Sequence, residues 1–199
     1  MSARFRGNRS IIGALQSAGG IIDMTKQRVG GGETYFLWLP RRFGTTHTGG
    51  FNSYTCVSRI PTSLFVGGVT GSEVRVVTAY ATSGAIYKGS VSTAAASGDS
   101  WDSASDLVSL TWNGSATITT PNPGIMMVSD WMPLVVDGTK DIVVATLGST
   151  GSSTDYYANA EMSGAAFWRK NVDEVATQDR GASYTSIASN SAHAWVEVR

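Results

Sequence analysis

Beyond Tyr35 the chain alternates apolar and polar residues in short runs separated by turn-forming residues. A period of two places every second side chain on one face of a strand. Tyr54 to Ile60 reads as such a strand, stopped by Pro61. Glu73 to Tyr80 is a second, entered through a Gly71-Ser72 turn, and Ala85-Ile86-Tyr87 is a third, ending at Lys88-Gly89. Asp106 to Trp112 places Val108, Leu110 and Trp112 on one face, with Leu107, Ser109 and Thr111 on the other. Asn113-Gly114 tolerates the positive φ that a tight hairpin turn needs, so the chain is expected to return along Ala116 to Thr119. The same reasoning predicts a hairpin of Met132–Val136 and Asp141–Leu147 around Asp137-Gly138. His193 to Val198 alternates throughout, with Ala194, Val196 and Val198 sharing a face. Only Lys170 to Gln178 suggests a short helix. Many short strands at regular spacing predict an all-β fold, an antiparallel β-sandwich of jelly-roll-like type over residues 34–199. No repeat of about 20–50 residues is present, which excludes propellers and solenoids.

Residues 1–33 break the pattern. They run Arg4-Phe5-Arg6-Gly7-Asn8-Arg9, then Ser10-Ile11-Ile12-Gly13, then Ser17-Ala18-Gly19-Gly20-Ile21-Ile22-Asp23-Met24. Gly13, Gln16, Ser17, Gly19 and Gly20 interrupt any apolar run of signal-peptide length. A transmembrane helix needs roughly 20 mostly apolar residues, and no stretch of the chain supplies them. Gly13, Gly19 and Gly20 would each cost a helix about 1 kcal/mol against alanine. An extended arm that docks on a partner suits these residues better. Ile11, Ile12, Ile21 and Ile22 would each contribute about 1.5–3 kcal/mol if fully buried there. Gly13, Gly19 and Gly20 allow close backbone approach, and Gly30-Gly31-Gly32 would hinge the arm. The alternative is an N-terminal strand folded back on its own domain.

The run from Asn8 to Gly13, followed by Ser17 to Met24, resembles a segment that opens many tailed-bacteriophage virion proteins. In that family an "IIG" element precedes a serine-alanine-serine-glycine, hydrophobic, small-polar, hydrophobic element. The family's segment continues to an aromatic and a Trp-Pro pair, whereas this chain has Val29-Gly30-Gly31-Gly32 and then Tyr35-Phe36-Leu37-Trp38-Leu39-Pro40. The motif is short and covers a small part of the chain. The resemblance implies a virion structural protein of fibre, spike or decoration type, assembled in the bacterial cytoplasm. Its partners would be other virion proteins, held through the arm, and further copies of itself, with a trimer favoured.

Composition narrows the remaining chemistry. The 199 residues carry 15 basic and 15 acidic side chains, so no net field recruits nucleic acid, which is not expected as a partner. Abundant glycine, serine and threonine disfavour helices, and six tryptophans, seven tyrosines and six phenylalanines supply a core that a disordered chain would lack. Cys56 is the single cysteine, so no intrachain disulfide forms, and it reads as a buried structural thiol. Gly98-Asp99-Ser100 superficially matches the start of a GDSL-type esterase block, but no Asp-x-x-His follows to supply a base. His47 and His193 lack partners at metal-ligand spacing, and Asp99, Asp102 and Asp106 lack the glycine and glutamate of a defined calcium loop. Neither an enzyme nor a cofactor is expected.

Trp101, Trp131, Tyr156 and Tyr157 stand in polar, loop-like contexts and are the candidate glycan contacts, since sugar rings stack on exposed aromatic faces. The plainer reading is that they cap the core. Two functions therefore stand: a virion subunit with a host glycan as a further partner, and a carbohydrate-binding module independent of any virion. The fold alone selects neither.

Overall fold

The computed structural model describes residues 27–29, 33–38, 46–49, 53–65, 69–79, 86–119, 126–149, 154–158, 166–186, 190–191 and 193–199. The strands are β1 (Gln27–Val29), β2 (Glu33–Trp38), β3 (Thr46–Gly49), β4 (Thr55–Ile60) and β5 (Gly71–Ala79). They continue as β6 (Ile86–Thr93), β7 (Val108–Ser109), β8 (Ile118–Thr119), β9 (Met126–Val128), β10 (Met132–Val136) and β11 (Ile142–Gly148). The last are β12 (Thr154–Ala158), β13 (Ala166–Lys170), β14 (Thr185–Ser186), β15 (Asn190–Ser191) and β16 (His193–Val198). The described residues contain one short 3-10 turn, Thr62–Leu64, and no α-helix.

Every pairing among the described residues is antiparallel, and these residues form an all-β arrangement of antiparallel sheets. A six-stranded sheet has the order β1-β2-β16-β5-β10, with β9 also on β5. A seven-stranded sheet runs β14-β13-β4-β11-β6-β7, with β8 also on β6. A three-stranded sheet, β15-β12-β3, approaches β5 and β16 through β12. The main core draws Val74, Val76, Leu134, Val136, Val196 and Val198 from the first sheet and Ile60, Tyr87, Val91, Ile142, Val144 and Phe167 from the second. A smaller cluster of Val57, Ala94, Val143, Ala145 and Tyr184 lies on the other face of the seven-stranded sheet. Strand β11 is therefore covered on both faces, which is why it reads Ile-Val-Val-Ala without alternation.

Several expected elements change. Lys88-Gly89 does not end a strand: β6 runs through it to Thr93. A Cβ on Gly89 would lie 2.7 Å from Leu110 Cδ1, so glycine serves close packing there and not a turn. Gly71 likewise belongs to β5, where a Cβ would meet the Arg199 carbonyl oxygen at 2.5 Å. Asn113 (φ 51°) and Gly114 (φ 78°) do form the tight turn, closed by a Trp112–Ser115 bridge. The hairpin goes no further, because β7 and β8 each pair with β6 instead of with each other. Met132–Val136 and Asp141–Leu147 do not form a hairpin either. Strand β10 pairs with β5 and β11 with β4 and β6, so Asp137-Gly138 carries the chain between sheets.

Lys170–Gln178 contains no helix. Residues 171–184 instead run as an irregular loop over the seven-stranded sheet. In β16 the register shifts between His193 and Trp195, so the expected unbroken alternation is interrupted by a bulge. Strand β16, which His193 opens, lies between β2 and β5. Among the described residues sheet pairing begins at Gln27, within the expected arm of residues 1–33, since β1 pairs with β2. Ile11, Ile12, Gly13, Gly19, Gly20, Ile21 and Ile22, and the glycines 30–32, lie outside the described residues.

Candidate functional site

The outer face of the seven-stranded sheet is covered by two irregular segments, residues 95–104 and 171–184. Side chains of the sheet hold the second segment by its backbone. Thr55 Oγ1 donates to the Val172 carbonyl (2.6 Å) and accepts from the Glu174 N–H (3.1 Å), and Ser90 Oγ donates to the Val175 carbonyl (2.6 Å). Backbone groups that a helix would have paired internally are thus satisfied by the sheet, which explains the missing helix.

Arg180 joins the two segments and is fully buried. Its Nη1 donates to the Trp101 carbonyl (2.6 Å) and to Ser103 Oγ (2.8 Å), and its Nε donates to the Glu174 carbonyl at 3.3 Å. Its backbone N–H donates to Asp102 Oδ1 (2.9 Å), and its carbonyl accepts from Trp101 Nε1 (3.2 Å). Burial draws the guanidinium below its usual pKa, opposed by the fields of Tyr184, Asp102 and Glu174. Tyr184 donates to Glu174 Oε2 (3.0 Å), and Lys170 pairs with Oε1 of the same carboxylate (3.1 Å). Burial, then the Glu174 hydrogen bond, holds the Tyr184 phenol well above its ordinary range.

Three aromatic rings gather on this layer. Trp101 stacks on Tyr184 with centroids 5.3 Å apart and meets Trp168 edge-on at 5.8 Å. Trp101 and Trp168 remain partly exposed. The candidate Trp101 thus packs against the smaller core cluster and also reaches the surface. Trp168 and Tyr184 were not among the sequence candidates. Trp168 reads as an ordinary strand residue, and no local signal connects either residue to Trp101, more than sixty positions away.

The other candidates lie elsewhere. Trp131 is partly exposed and lies beneath the guanidinium groups of Arg75 and Arg199, at 4.6 and 4.3 Å from its ring centroid. Arg75 pairs with Glu197, and Arg199 with Glu73 at 2.6 Å, so neighbouring strands carry a chequered set of charges beside this ring. Tyr156 and Tyr157 occupy strand β12 and not a loop, with Tyr156 opposite His47 and Tyr157 opposite Thr46. Trp101 with its two ring neighbours, Trp131, and the β12 tyrosines therefore lie on three different parts of the fold.

The aspartates of the calcium alternative turn toward protein groups. Asp102 is buried and accepts from the Asp99 and Arg180 N–H groups, and Asp106 accepts from the Thr93 N–H and hydroxyl. Among the described residues no three His, Cys, Asp or Glu side chains gather where they could hold a metal ion. Ser100 is exposed at the tip of a turn, and its carbonyl accepts from Arg59 at 3.4 Å. Cys56 is buried, and burial pushes its thiol up to about 12, well out of the reactive range. No helix among the described residues is long and apolar enough to cross a membrane.

No protein-family model matches the chain, and comparison with curated proteins gives no match.

Proposed function

We propose that this chain is a structural subunit of a tailed-bacteriophage virion, a small fibre or spike protein. Residues 1–26, ahead of the paired strand β1, dock it on the particle, and the β domain projects outward as a jelly-roll-like antiparallel sandwich in a homo-oligomer. The observation that carries this reading is the pair of elements Ile11-Ile12-Gly13 and Ser17 to Met24, placed ahead of an all-β domain. Docking is tested by replacing Ile11 and Ile12 together with aspartate. Two lost apolar anchors, with charge desolvation added, are expected to cost at least several kcal/mol per copy. The variant should stay soluble and be missing from purified particles. Normal occupancy on particles would end the anchor assignment.

A second reading, glycan binding by the β domain, is favoured by the partly exposed pair of Trp101, on a segment held by Arg180, and Trp168, on strand β13. Rigid aromatic surfaces lose little entropy on binding, and loops commonly carry recognition. Linked copies can exceed single-site affinity by about 10²–10⁴-fold, so a multimerised full chain is the probe for a glycan array. Binding lost in Trp101→Ala and Trp168→Ala but kept in Trp131→Ala would support an adhesin surface on this layer. Silence of the multimer would leave a purely architectural subunit.

A further inference from the structure

Two buried polar atoms on the outer face of the seven-stranded sheet have no hydrogen-bond partner among the described residues: Arg180 Nη2 and Ser92 Oγ. Both residues are fully buried. Their surroundings converge on one place. Arg180 is anchored on one side by Nε to the Glu174 carbonyl and on the other by Nη1 to Ser103 Oγ. Along β6, Ser90 holds the Val175 carbonyl, next to Glu174, and Ala94 bridges to Ser103. Ser92 lies between Ser90 and Ala94 on the same strand face, because side chains two apart share a face. The guanidinium therefore spans Ser92. Beneath it the strand face carries the small side chains Ser90, Ser92 and Ala94, with Ala145 and Val143 of β11 beside Ser90 and Ser92.

A buried guanidinium N–H and a buried hydroxyl seldom stay unpartnered, and ordered water is the usual remedy where direct reach fails. We propose that Arg180 Nη2 and Ser92 Oγ bind one internal water, with the Glu174 carbonyl as a third partner. The water accepts from Nη2 and donates to the serine oxygen and the carbonyl. The charges favour water over an anion. Asp102, on the Arg180 backbone N–H, and Glu174, paired with Lys170, already set two negative charges beside these two cations, so a halide would add an uncompensated buried charge.

A crystal structure of the full chain grown in bromide, with anomalous data, tests the site. One peak within about 3.2 Å of both atoms, without anomalous signal, is the expected result. An empty space, a direct bond between Nη2 and Ser92, or a bromide signal would each overturn the proposal. In solution, the Arg180 guanidinium protons should show a cross-relaxation peak to long-lived water that disappears in Ser92→Val, whose larger side chain fills the space. A peak that persists in Ser92→Val, or is missing from the natural chain, would also overturn it.

Discussion

Arg180 is the residue on which the loop layer depends most. One guanidinium satisfies two carbonyls and a hydroxyl from segments nearly eighty positions apart. Removing it strands those acceptors in a buried space, where each unmade bond costs about 1–3 kcal/mol. Arg180→Met is expected to lose about 3–5 kcal/mol in urea denaturation, and Arg180→Lys to recover little, because an ammonium cannot reproduce the planar fork. A loss below about 1 kcal/mol would show that the layer is held by apolar packing instead. No local feature of the chain marks this role. Asp179-Arg180-Gly181 carries no motif, and burial of a charged side chain depends on what folds over it. Cys56 is the opposite case: an alternating run around a lone thiol predicts burial, and the structure buries it.

At the level of elements, the turn at Asn113-Gly114 depends on a distant carboxylate. Asp130 accepts from the Asn113 N–H (3.0 Å), the Gly114 N–H (2.8 Å) and the Thr111 hydroxyl (2.7 Å). These bonds, led by Gly114 and then Thr111, lower its pKa below the usual aspartate value. Asp130 sits where β9 passes into β10. Val128 pairs with Val77 and Met132 with Val74, so one extra residue bulges between them, and Ser129 Oγ accepts the Val76 N–H at 2.9 Å. The bulge aims Asp130 at the turn. Replacing it with asparagine is expected to cost about 1 kcal/mol at neutral pH, reduced by partial exposure. A lowered folded-state pKa gives stability that is fully present above the unfolded value of about 3.9 and fades as pH falls through the lower folded value. Denaturation curves of the natural chain and Asp130→Asn should therefore converge only below about pH 4. A stability gap independent of pH would mean that shape, not charge, holds the turn.

For the whole molecule, the C-terminal strand matters more than its position in the chain suggests. β16 lies between β2 and β5, and Val196 and Val198 are in the main core. Arg199 adds its pairing with Glu73 and its contact with Trp131. Deleting residues 193–199 opens the sheet at its middle, and the product is expected to show no cooperative unfolding. Deleting residues 1–26 keeps every described strand pair. On the docking-arm reading, that shortened chain should melt within a few degrees of the full chain and fail to assemble. A large loss of melting temperature would instead make the arm part of the fold.

The period of two in Met132–Val136 determined a strand with one buried face, a local property independent of its partner. Tyr54–Ile60 and His193–Val198 also supply strands, but packing buries β4 on both faces and a bulge interrupts β16. Asn113-Gly114 determined its own turn, since positive φ is a local property. Pairing is not local. Asp137-Gly138 looks like a hairpin turn whether the next strand returns beside its neighbour or crosses to the other sheet, and only the competition for core volume decides. Gly89 could mark a turn or a close approach, and the position of Leu110 settled which. Grouping Trp101, Trp168 and Tyr184, and burying Arg180 beneath them, required the tertiary structure, because those contacts join segments brought together only when the sheet forms.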